Sequence, residues 1–452
     1  MTAEKRIDIF EKMPIKKAVI RQIIPAIAGQ MIALIYNLAD TYFVGMLDDP
    51  TQTAAIMIVS SPFILLTAVS NLFGIGGASA ISRALGKKQP LKAKQISSII
   101  FWLGLLSGIA VSLLFLALSS PILKLCGATD TTIGSAYGYA KWTVIYGGVF
   151  TILNTLLANS VRAEGCATLA AIGVSLGGLL NTILDPFFVL PGFLGLGATG
   201  AGMATAISNF VATLYFIILI CVRKNGIANF NPRSLTHIKE HISTILAAGF
   251  PSALQYALTV VAVAAQSRFT SAYGAEAVAA LGIVKKLDQL PLYFSIGVST
   301  GLLPLLAYNH SAGNVKRRSG AFAFGCTISL AFSLFCLVIY EIFAPGLASV
   351  FIADIVTVNY AASFLRRMVV AMPMMSVCYP LIIQFQATGK VKQSVICSLL
   401  RKGVIDVPLL FIADSIAPLY GLMWVQPIVD TISLIVAIAF YVNILKKERL
   451  DS

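Results

Sequence analysis

The sequence has 452 residues, of which 58% are hydrophobic and 12% charged, and its formal net charge is +14 at pH 7. A water-soluble domain carries about twice that share of charged residues. Apolar runs of about 20 residues recur along the whole chain, which is the length needed to cross a lipid bilayer. Together with the mean hydropathy of +0.86, these features exclude a soluble globular fold for the bulk of the chain.

Twelve apolar spans follow one another along the sequence. They are continuous and do not alternate with a period of two, which predicts α-helices and excludes the strands of a membrane barrel. In chain order they cover residues 22–46, 52–75, 96–119, 133–158, 166–190, 198–221, 243–268, 278–306, 319–342, 360–384, 394–413 and 420–445. The sequence therefore predicts an all-α membrane protein of twelve transmembrane helices.

The basic residues lie mostly on one side of these spans. Two clusters stand out, one before the first span and one after the second: Lys5, Arg6, Lys12, Lys16, Lys17 and Arg21, then Arg83, Lys87, Lys88, Lys92 and Lys94. This bias predicts cytoplasmic termini in a bacterial plasma (inner) membrane. We interpret the positive charge as a topology signal and a contact for anionic lipids, with nucleic acid as the weaker alternative. No cleavable signal peptide is expected.

A polar linker at the midpoint predicts a duplicated architecture. It covers residues 223–242 and separates a first lobe, residues 1–222, from a second lobe, residues 243–452. Short motifs correspond between the two halves: Ile24-Pro25 with Phe250-Pro251, Ala39-Asp40-Thr41 with Ala265-Gln266-Ser267, and Ile183-Leu184-Asp185-Pro186 with Ile405-Asp406-Val407-Pro408. Six helices per half give both halves the same orientation, so two six-helix bundles are expected around a central cleft.

Acidic residues inside apolar spans are the main candidates for chemistry, because a charge in hydrocarbon costs about 3 kcal/mol or more unless it meets water or a partner. Five lie at apparent membrane depth: Asp40, Asp185, Asp288, Asp406 and Asp430. Asp40 follows Tyr36, and Asp185 follows Asn181, by four residues, so each acid shares a helix face with its neighbour. Such a site can exchange a proton or bind sodium. The alternative is that both acids only cap helix ends.

The second half differs from the first in charge. Gln266 stands where the first half has Asp40, so exchangeable positive charge is expected in the first half only. Asp406 corresponds to Asp185, yet the basic pair at 401–402 precedes it by about one turn, which leaves a structural ion pair as an alternative role. The intramembrane charge as a whole is interpreted as mostly acidic and therefore suited to cations.

Three further charged residues are expected at the outer mouth. Counting back a full crossing from Ala307 places Lys285, Lys286 and Asp288 there, either as a gate or with the lysines snorkelling to the surface. Asp430 either lines a cavity or hydrogen-bonds locally. Aromatic side chains can stack on a flat lipophilic cation. The candidates for the substrate cavity are Tyr36, Gln255, Tyr256, Tyr293 and Tyr379.

Two patterns known from soluble enzymes carry no function here. The stretch 195–200 matches GxGxxG but follows no strand, and His237 to His241 match HxxEH in the central linker without an evident third ligand. The seven cysteines have no CxxC spacing, and neither a Walker motif nor a catalytic triad is found. We therefore expect no enzyme, no cofactor and no metal other than a coupling sodium ion.

Several motifs, taken in order, resemble one known family. They are Pro25, Tyr36 and Asp40 in the first span, NLFGIGGASAISRALGKK (71–88), RAEG (162–165), NTILDP (181–186), GATGAGMATAISN (197–209), GFP (249–251) and PLLAYNHSAGN (304–314). Over nearly the whole chain this pattern resembles the multidrug and toxic compound extrusion (MATE) transporters, in the bacterial branch with its ion site in the first lobe. The resemblance implies alternating access and proton- or sodium-driven export of cationic or lipophilic drugs and toxic organic compounds.

The resemblance also implies roles for particular residues. The ion-coupling set would be Asp40, Asn181, Asp185 and Thr205, with Tyr36, Pro25 and Asn159 beside it, and the first helix would bend at Pro25. The other branch has acids in helices 7 and 10, where this chain reads PSALQYAL (251–258) and PMMSVCYP (373–380), which argues against a sodium site in the second lobe. A flippase for lipid-linked saccharides is the alternative function, and it should line its cavity with arginine or lysine. A monomer is expected.

Overall fold

The computed structural model describes residues 8–47, 49–223, 226–352 and 354–450. For residues 449 and 450 it describes the backbone only. Helices and turns make up these ranges, and they contain no strand. Lys5 and Arg6, which we counted toward the basic cluster before the first span, lie outside the described residues. The predicted all-α class is confirmed for the described part of the chain.

Twelve helical spans, α1 to α12, occur in the predicted order. The first six are α1 Ile15–Gly45, α2 Pro50–Gly86, α3 Pro90–Leu125, α4 Ile133–Ala140 with Gly148–Ala163, α5 Ala167–Val189 and α6 Gly197–Val222. The last six are α7 Ile238–Thr270, α8 Ala275–Ser311, α9 Val315–Ser349, α10 Ile355–Met368 with Met372–Ala387, α11 Val391–Arg401 with Asp406–Ile416, and α12 Tyr420–Leu450.

Two of the spans are not regular helices. Ten spans in the described ranges are long and apolar enough to cross a membrane, and α4 is an eleventh, whose halves meet at 49° across the π-helical segment Lys141–Tyr146. α11 consists of two pieces of 11 residues each. The prediction of a continuous helix over 394–413 is therefore wrong. Gly403, with φ +107, takes a backbone conformation that favours glycine and interrupts the helix.

The helices form two bundles, which we call the first lobe (α1–α6) and the second lobe (α7–α12). In the first lobe α1 packs against α5, α5 against α6, and α2 against α3 and α4. In the second lobe α8 packs against α9 and α10, α10 against α12, and α7 against α11. The lobes meet mainly through three helix pairs: α2 with α7, α1 with α8, and α2 with α8. The predicted arrangement of twelve helices in two lobes is thus observed.

The lobes are joined at one end, which we call the terminal face because α1 begins and α12 ends there. A Cβ added to Gly249 would lie 1.8 Å from the Leu72 carbonyl oxygen, so only glycine allows α2 and α7 to come this close. Gly86 approaches the carbonyl oxygen of Tyr308 in the same way. The hydrogen bonds that join the lobes in the described ranges all lie in this half of the molecule.

A short segment before α1 adds to this junction. Residues 8–13, which we call the amino-terminal segment, belong to the first lobe by sequence but pack on α8 and α9 of the second. Phe10 is fully buried, and its ring stacks on Tyr308 at 5.1 Å between centroids. Arg317 donates hydrogen bonds to the carbonyl oxygens of Ile9, Phe10 and Met13, at 3.1, 2.5 and 2.5 Å. The segment therefore ties the two lobes together at the terminal face.

Candidate functional site

Two carboxyl groups meet inside the first lobe. Asp40 of α1 is 5% exposed and Asp185 of α5 is 0% exposed, and their carboxyl groups lie within hydrogen-bonding distance of each other. The two helices come close because Gly178 of α5 has no side chain where Ile32 and Tyr36 of α1 pack against it. Two ionised carboxylates this close in a low-dielectric interior repel each other, so the pair requires a shared proton or a bound cation.

Asn181 and Thr205 complete this group, which we call the acid site. Thr205 Oγ1 donates to Asp40 Oδ2 at 3.3 Å, and Asn181 Nδ2 lies 3.3 Å from Thr205 Oγ1. With the Asn181 amide turned over, its nitrogen donates to Asp40 Oδ1 at 3.2 Å and its oxygen accepts from the Thr205 backbone at 3.3 Å, which satisfies both amide atoms. Asp185 Oδ2 is buried and has no donor among the described residues. One carboxylate oxygen is thus left for a proton or an ion.

Three polar neighbours of the acid site were missed in the sequence. Asn154 of α4 donates to Asn209 Oδ1 of α6 at 3.0 Å, and Asn209 in turn donates to the carbonyl oxygen of Thr205 at 3.0 Å. Tyr139, buried at the end of the first half of α4, lies within electrostatic range of both acids. One signal was present: Asn209 follows Thr205 by four residues, which places both side chains on one helix face.

Two residues expected beside the acid site lie elsewhere. Asn159 accepts a hydrogen bond from Arg162 Nη1 at 2.7 Å and packs against Gly74 of α2, nearer the terminal face. Pro25 is about 22 Å from Asp40 along the axis of α1, at 1.5 Å per residue. α1 runs without interruption from Ile15 to Gly45. The structure therefore does not bring either residue to the acid site.

The tyrosines expected in the substrate cavity form one cluster. Tyr36 of α1 lies within electrostatic range of Tyr293 of α8, across the boundary between the lobes. Tyr256 of α7 has both Tyr293 and Tyr379 as neighbours. Gln255, beside Tyr256 on α7, is 7% exposed. Of these tyrosines, Tyr36 is the one with an acid-site residue, Asp40, in electrostatic range.

Buried charges also lie inside the second lobe. Arg401 Nε donates to Asp430 Oδ1 at 2.9 Å, with side-chain exposures of 2% and 0%. The Arg401 guanidinium also lies 4.0 Å from the centre of the Tyr379 ring. Gln426 donates to Asp430 Oδ2 at 2.7 Å and accepts from Lys402 Nζ at 2.6 Å. Of the two roles left open for Asp430, local hydrogen bonding is the one observed.

Asp406 has a different partner from the one suggested by sequence. It accepts a hydrogen bond at Oδ2 from the backbone nitrogen of Gly403 at 2.8 Å, while Arg401 pairs with Asp430. Its carboxylate thus closes the break in α11. Among the described residues, Asp406 forms no ion pair with Arg401 or Lys402.

The expected position of Lys285 and Asp288 at the outer mouth is wrong. Residues 275–284 of α8 precede them, and half of that stretch is buried in the core of the second lobe: Ala277, Ala280, Leu281, Ile283 and Val284. Lys285 Nζ is itself buried, so this side chain does not snorkel to the surface. Asp288 lies within electrostatic range of Lys402, Asp430 and Arg401. The view that intramembrane charge is mostly acidic therefore fails for the second lobe, where bases and acids are mixed.

No metal centre is visible among the described residues, where no three side chains of His, Cys, Asp or Glu lie close enough to hold an ion. The two histidines of the HxxEH stretch have separate partners. His237 Nδ1 lies 3.3 Å from Glu240 Oε1, and His241 Nε2 lies 3.3 Å from Gln95 Oε1. The two histidines thus have separate partners and do not form a ligand set.

Known proteins resemble this chain over almost its entire length. The sequence profile of the MatE family matches residues 25–187 and 251–412. The multidrug export protein MepA of Staphylococcus saprophyticus is 31% identical over 96% of this chain and 95% of its own. MepA of Staphylococcus aureus (strain MRSA252) is 30% identical over the same shares. These matches cover both lobes.

Solved structures share the fold. A multidrug resistance MATE family transporter of the MOP superfamily, in an outward-facing conformation, superposes with a TM-score of 0.92 at 24% identity, over 98% of this chain and 99% of that one. A MATE structure described as a straight conformation gives a TM-score of 0.91 at 24% identity, over 98% and 99%. At this level of identity the likeness concerns the arrangement of helices alone.

Proposed function

The chain belongs to the MatE family of membrane transporters, which are not enzymes, and on this premise we propose that it is a secondary active antiporter. It exports cationic or lipophilic drugs and other toxic organic compounds, and a proton or sodium gradient drives it. The names of the MepA proteins support a multidrug substrate range. The cluster of four tyrosines supports cationic substrates, because aromatic faces attract cations.

The acid site is the observation that carries this proposal. Asp40 and Asp185 meet in a buried position, and one carboxylate oxygen lacks a donor among the described residues. Binding one cation there changes the local charge by one unit, and such a change can bias a protein between two conformations. Tyr36 lies within electrostatic range of both Asp40 and Tyr293 of the other lobe. An ion bound at the acid site would therefore act electrostatically on a substrate held beside Tyr36.

The excess of basic residues supports a cytoplasmic terminal face in a bacterial plasma membrane, with anionic lipids around it. The working unit of the proposal is a monomer. The lobes are joined at that face, so the state described would be open to the outside. Gln22, Ser299 and Gln384 have buried side-chain atoms that meet no hydrogen-bond partner in the part of the chain that the structure describes. Buried polar groups of this kind favour a closed pathway that takes up water when the lobes separate.

In this scheme the outward-open protein takes up its coupling ion at the acid site. The ion removes the repulsion between Asp40 and Asp185, so α1 and α5 can pack more closely. Repacking of α1 moves Tyr36 and shrinks the cavity beside Tyr293, which releases the drug to the outside. The ion is then given up on the inner side, where its concentration or potential is lower, and a new substrate binds.

A transport assay in proteoliposomes tests the proposal. Wild-type protein should move a cationic dye when a pH jump is applied in sodium-free buffer, or when sodium is added at constant pH, which also identifies the coupling ion. Asp40→Asn should lose the ion-driven rate while still binding the dye. Asp130→Asn, in an exposed loop, is the matched control. Equal rates for Asp40→Asn and wild type would contradict the coupling scheme.

One observation favours the alternative function, a flippase for lipid-linked saccharides. Lys285, Arg401 and Lys402 are basic and lie inside the second lobe, as a protein that handles pyrophosphate would require. Arg401, however, is paired with Asp430, and Lys402 with Gln426. Growth inhibition by cationic dyes separates the two functions: expression should raise resistance for an exporter and leave it unchanged for a flippase.

A further inference from the structure

A groove on the second lobe is lined by a polar face of α10. Its volume is about 550 Å³, and Pro345 of α9 and Trp424 of α12 complete its walls. The residues of α10 that line it share one helix face, because they are spaced by three or four: Asn359, Ala362, Ser363, Arg366 and Arg367. A helix face that meets only acyl chains is apolar, so this one indicates a polar partner.

The groove lies on the lipid side of the second lobe, toward the end opposite the terminal face. α12 begins at Tyr420, so Trp424 is about one turn from the end of this helix that is farthest from the terminal face. On α9, Ile342 and Phe343 are 63% and 57% exposed, and on α12 Ile428 is 40% exposed. Apolar side chains exposed on a membrane-spanning bundle face acyl chains, while tryptophan is typical of the depth of the lipid headgroups. The groove thus combines both environments.

A kink in α9 fixes the position of Arg366. Pro345 has no backbone N–H, so the carbonyl oxygen of Glu341, four residues before it, has no partner within the helix. The backbone leaves helical geometry at Phe343, with φ −104 and ψ 15. Arg366 Nε donates to the Glu341 carbonyl oxygen at 3.4 Å and lies 3.9 Å from the carboxylate of the same residue. Among the described residues, neither Nη atom of Arg366 has an acceptor.

Arg367 is fixed by its own helix and by α12. Its Nη1 donates to the carbonyl oxygen of Ser363 at 2.8 Å and to the hydroxyl oxygen of the same residue. Its guanidinium carbon lies 4.5 Å from the centre of the Tyr420 ring. In the described ranges no carboxylate forms an ion pair with Arg367. Arg366 and Arg367 bring two positive charges and Glu341 one negative charge, so the groove keeps one positive charge.

We propose that this groove binds one anionic phospholipid, with its phosphodiester on Arg366 and Arg367. Guanidinium groups offer planar, paired donors that suit phosphate oxygens. A phosphodiester with an uncharged headgroup, as in phosphatidylglycerol, carries one negative charge, which matches the charge left at the groove. The acyl chains lie along the exposed apolar side chains of α9 and α12, such as Ile342 and Ile428.

This lipid is distinct from the anionic lipids proposed around the terminal face. It occupies one site at the other end of the helices, where the bias of basic residues toward the terminal face leaves few positive charges. Two adjacent arginines there require a local partner of opposite charge. The inference needs only a chain that spans a membrane, and it does not depend on the substrate or on the coupling ion.

Trp424 makes the groove directly observable. The chain has three tryptophans, so Trp102→Phe combined with Trp142→Phe leaves Trp424 as the only one. This protein is placed in vesicles of digalactosyldiacylglycerol, an uncharged bilayer lipid without phosphate. Brominated phosphatidylglycerol should quench Trp424 fluorescence with an affinity at least about tenfold higher than brominated digalactosyldiacylglycerol, the value of one charge-assisted hydrogen bond. Equal affinities would overturn the proposal.

Variants of the two arginines test the site itself. Arg366→Gln and Arg367→Gln should each lower the preference for phosphatidylglycerol, and the double variant should abolish it. Lys124→Gln is the control, because it removes an exposed basic residue at the same end of the first lobe. If the double variant keeps the preference of the parent protein, the groove is not the binding site and the proposal is wrong.

Two further measurements distinguish the lipid from other ligands. Brominated phosphatidylcholine, whose phosphate is balanced by an ammonium group, should bind more weakly than phosphatidylglycerol, and equal binding would refute the need for net negative charge. Inorganic phosphate should not relieve the quenching; if it does, the groove binds a soluble anion instead. Should the arginine variants not fold, the melting temperature of wild-type protein in detergent decides: phosphatidylglycerol should raise it more than phosphatidylcholine does, and equal shifts overturn the proposal.

Discussion

Arg401 lies over the ring of Tyr379, with its guanidinium carbon 4.0 Å from the ring centre. The same guanidinium forms the buried ion pair with Asp430. One aromatic face of the tyrosine cluster is therefore already occupied by a cation of the protein itself. Any cationic substrate has to use the remaining aromatic faces, among them those of Tyr256 and Tyr293, which lie within electrostatic range of Tyr379.

Breaking the ion pair between Arg401 and Asp430 should destabilise the protein strongly, whereas replacing both residues with apolar ones should destabilise it little. Arg401→Ala leaves Asp430 buried without a countercharge, which should lower the free energy of unfolding by about 3–5 kcal/mol. Thermal unfolding of the purified protein in detergent measures this loss. The double variant Arg401→Met with Asp430→Leu should recover most of it, because apolar side chains of similar size need no partner. A double variant as unstable as Arg401→Ala would point to the stacking on Tyr379 instead.

The close contact at Gly249 should control the junction between the lobes. Gly249→Ala adds a Cβ 1.8 Å from the Leu72 carbonyl oxygen, so α2 and α7 must separate. Overpacking of this kind costs about 1–3 kcal/mol, and the joined state should become roughly 5- to 150-fold less populated. Distances between spin labels placed across the terminal face report the change. Gly282→Ala, in α8 with no atom within 4 Å of the added Cβ, should leave the distances as they are.

The amino-terminal segment should detach when its anchor is removed. Arg317→Ala deletes three hydrogen bonds to the carbonyl oxygens of residues 9, 10 and 13. The backbone amides of Lys12 and Met13, which bond to the Asp8 carbonyl at 2.9 Å, should then exchange with deuterium at least about tenfold faster. Lys316→Ala removes an exposed neighbouring charge and should not alter exchange. Unchanged exchange in Arg317→Ala would mean that the burial of Phe10 and the hydrogen bonds from Tyr308 and Asn309 hold the segment without Arg317.

The two carboxyl groups of the acid site should act as one unit. If Asp40 and Asp185 hold a single ion together, Asp40→Asn and Asp185→Asn should each abolish ion-driven transport, and the double variant should be no worse than either. Rates of dye uptake in a double-mutant cycle measure the coupling. Asp40→Asn combined with Asp130→Asn, a distant exposed acid, should behave additively. Additive losses for the pair of acids would indicate two independent sites.

The sequence predicted the number and order of helices because long apolar runs and the period of their polar residues depend on local chemistry. Its error in α11 has a local cause as well. The break depends on the positive φ of Gly403. This conformation cannot be predicted from a glycine that is followed by apolar residues. The misplacement of Lys285 arose because a 20-residue crossing was assumed, whereas α8 has 37 residues.

The candidate site was predictable where two residues share a helix face. Asn181 and Asp185 follow this rule, and the same spacing could have found Asn209 from Thr205. Contacts between helices could not be predicted in this way, because the spacing of residues along one helix does not show which other helix packs against it. The pairing of Arg401 with Asp430, and of Asn154 with Asn209, therefore required the packed structure.

The interruption of α11 also bears on how the protein is made. A short helical piece that ends at Arg401 and Lys402 inserts poorly by itself, since a basic residue at membrane depth costs about 2.5–3.5 kcal/mol during insertion. The partner of Arg401 is Asp430 on α12, which leaves the ribosome later. α11 and α12 should therefore enter the membrane together as a helical hairpin, and the second lobe cannot complete its core before the last helix is synthesised.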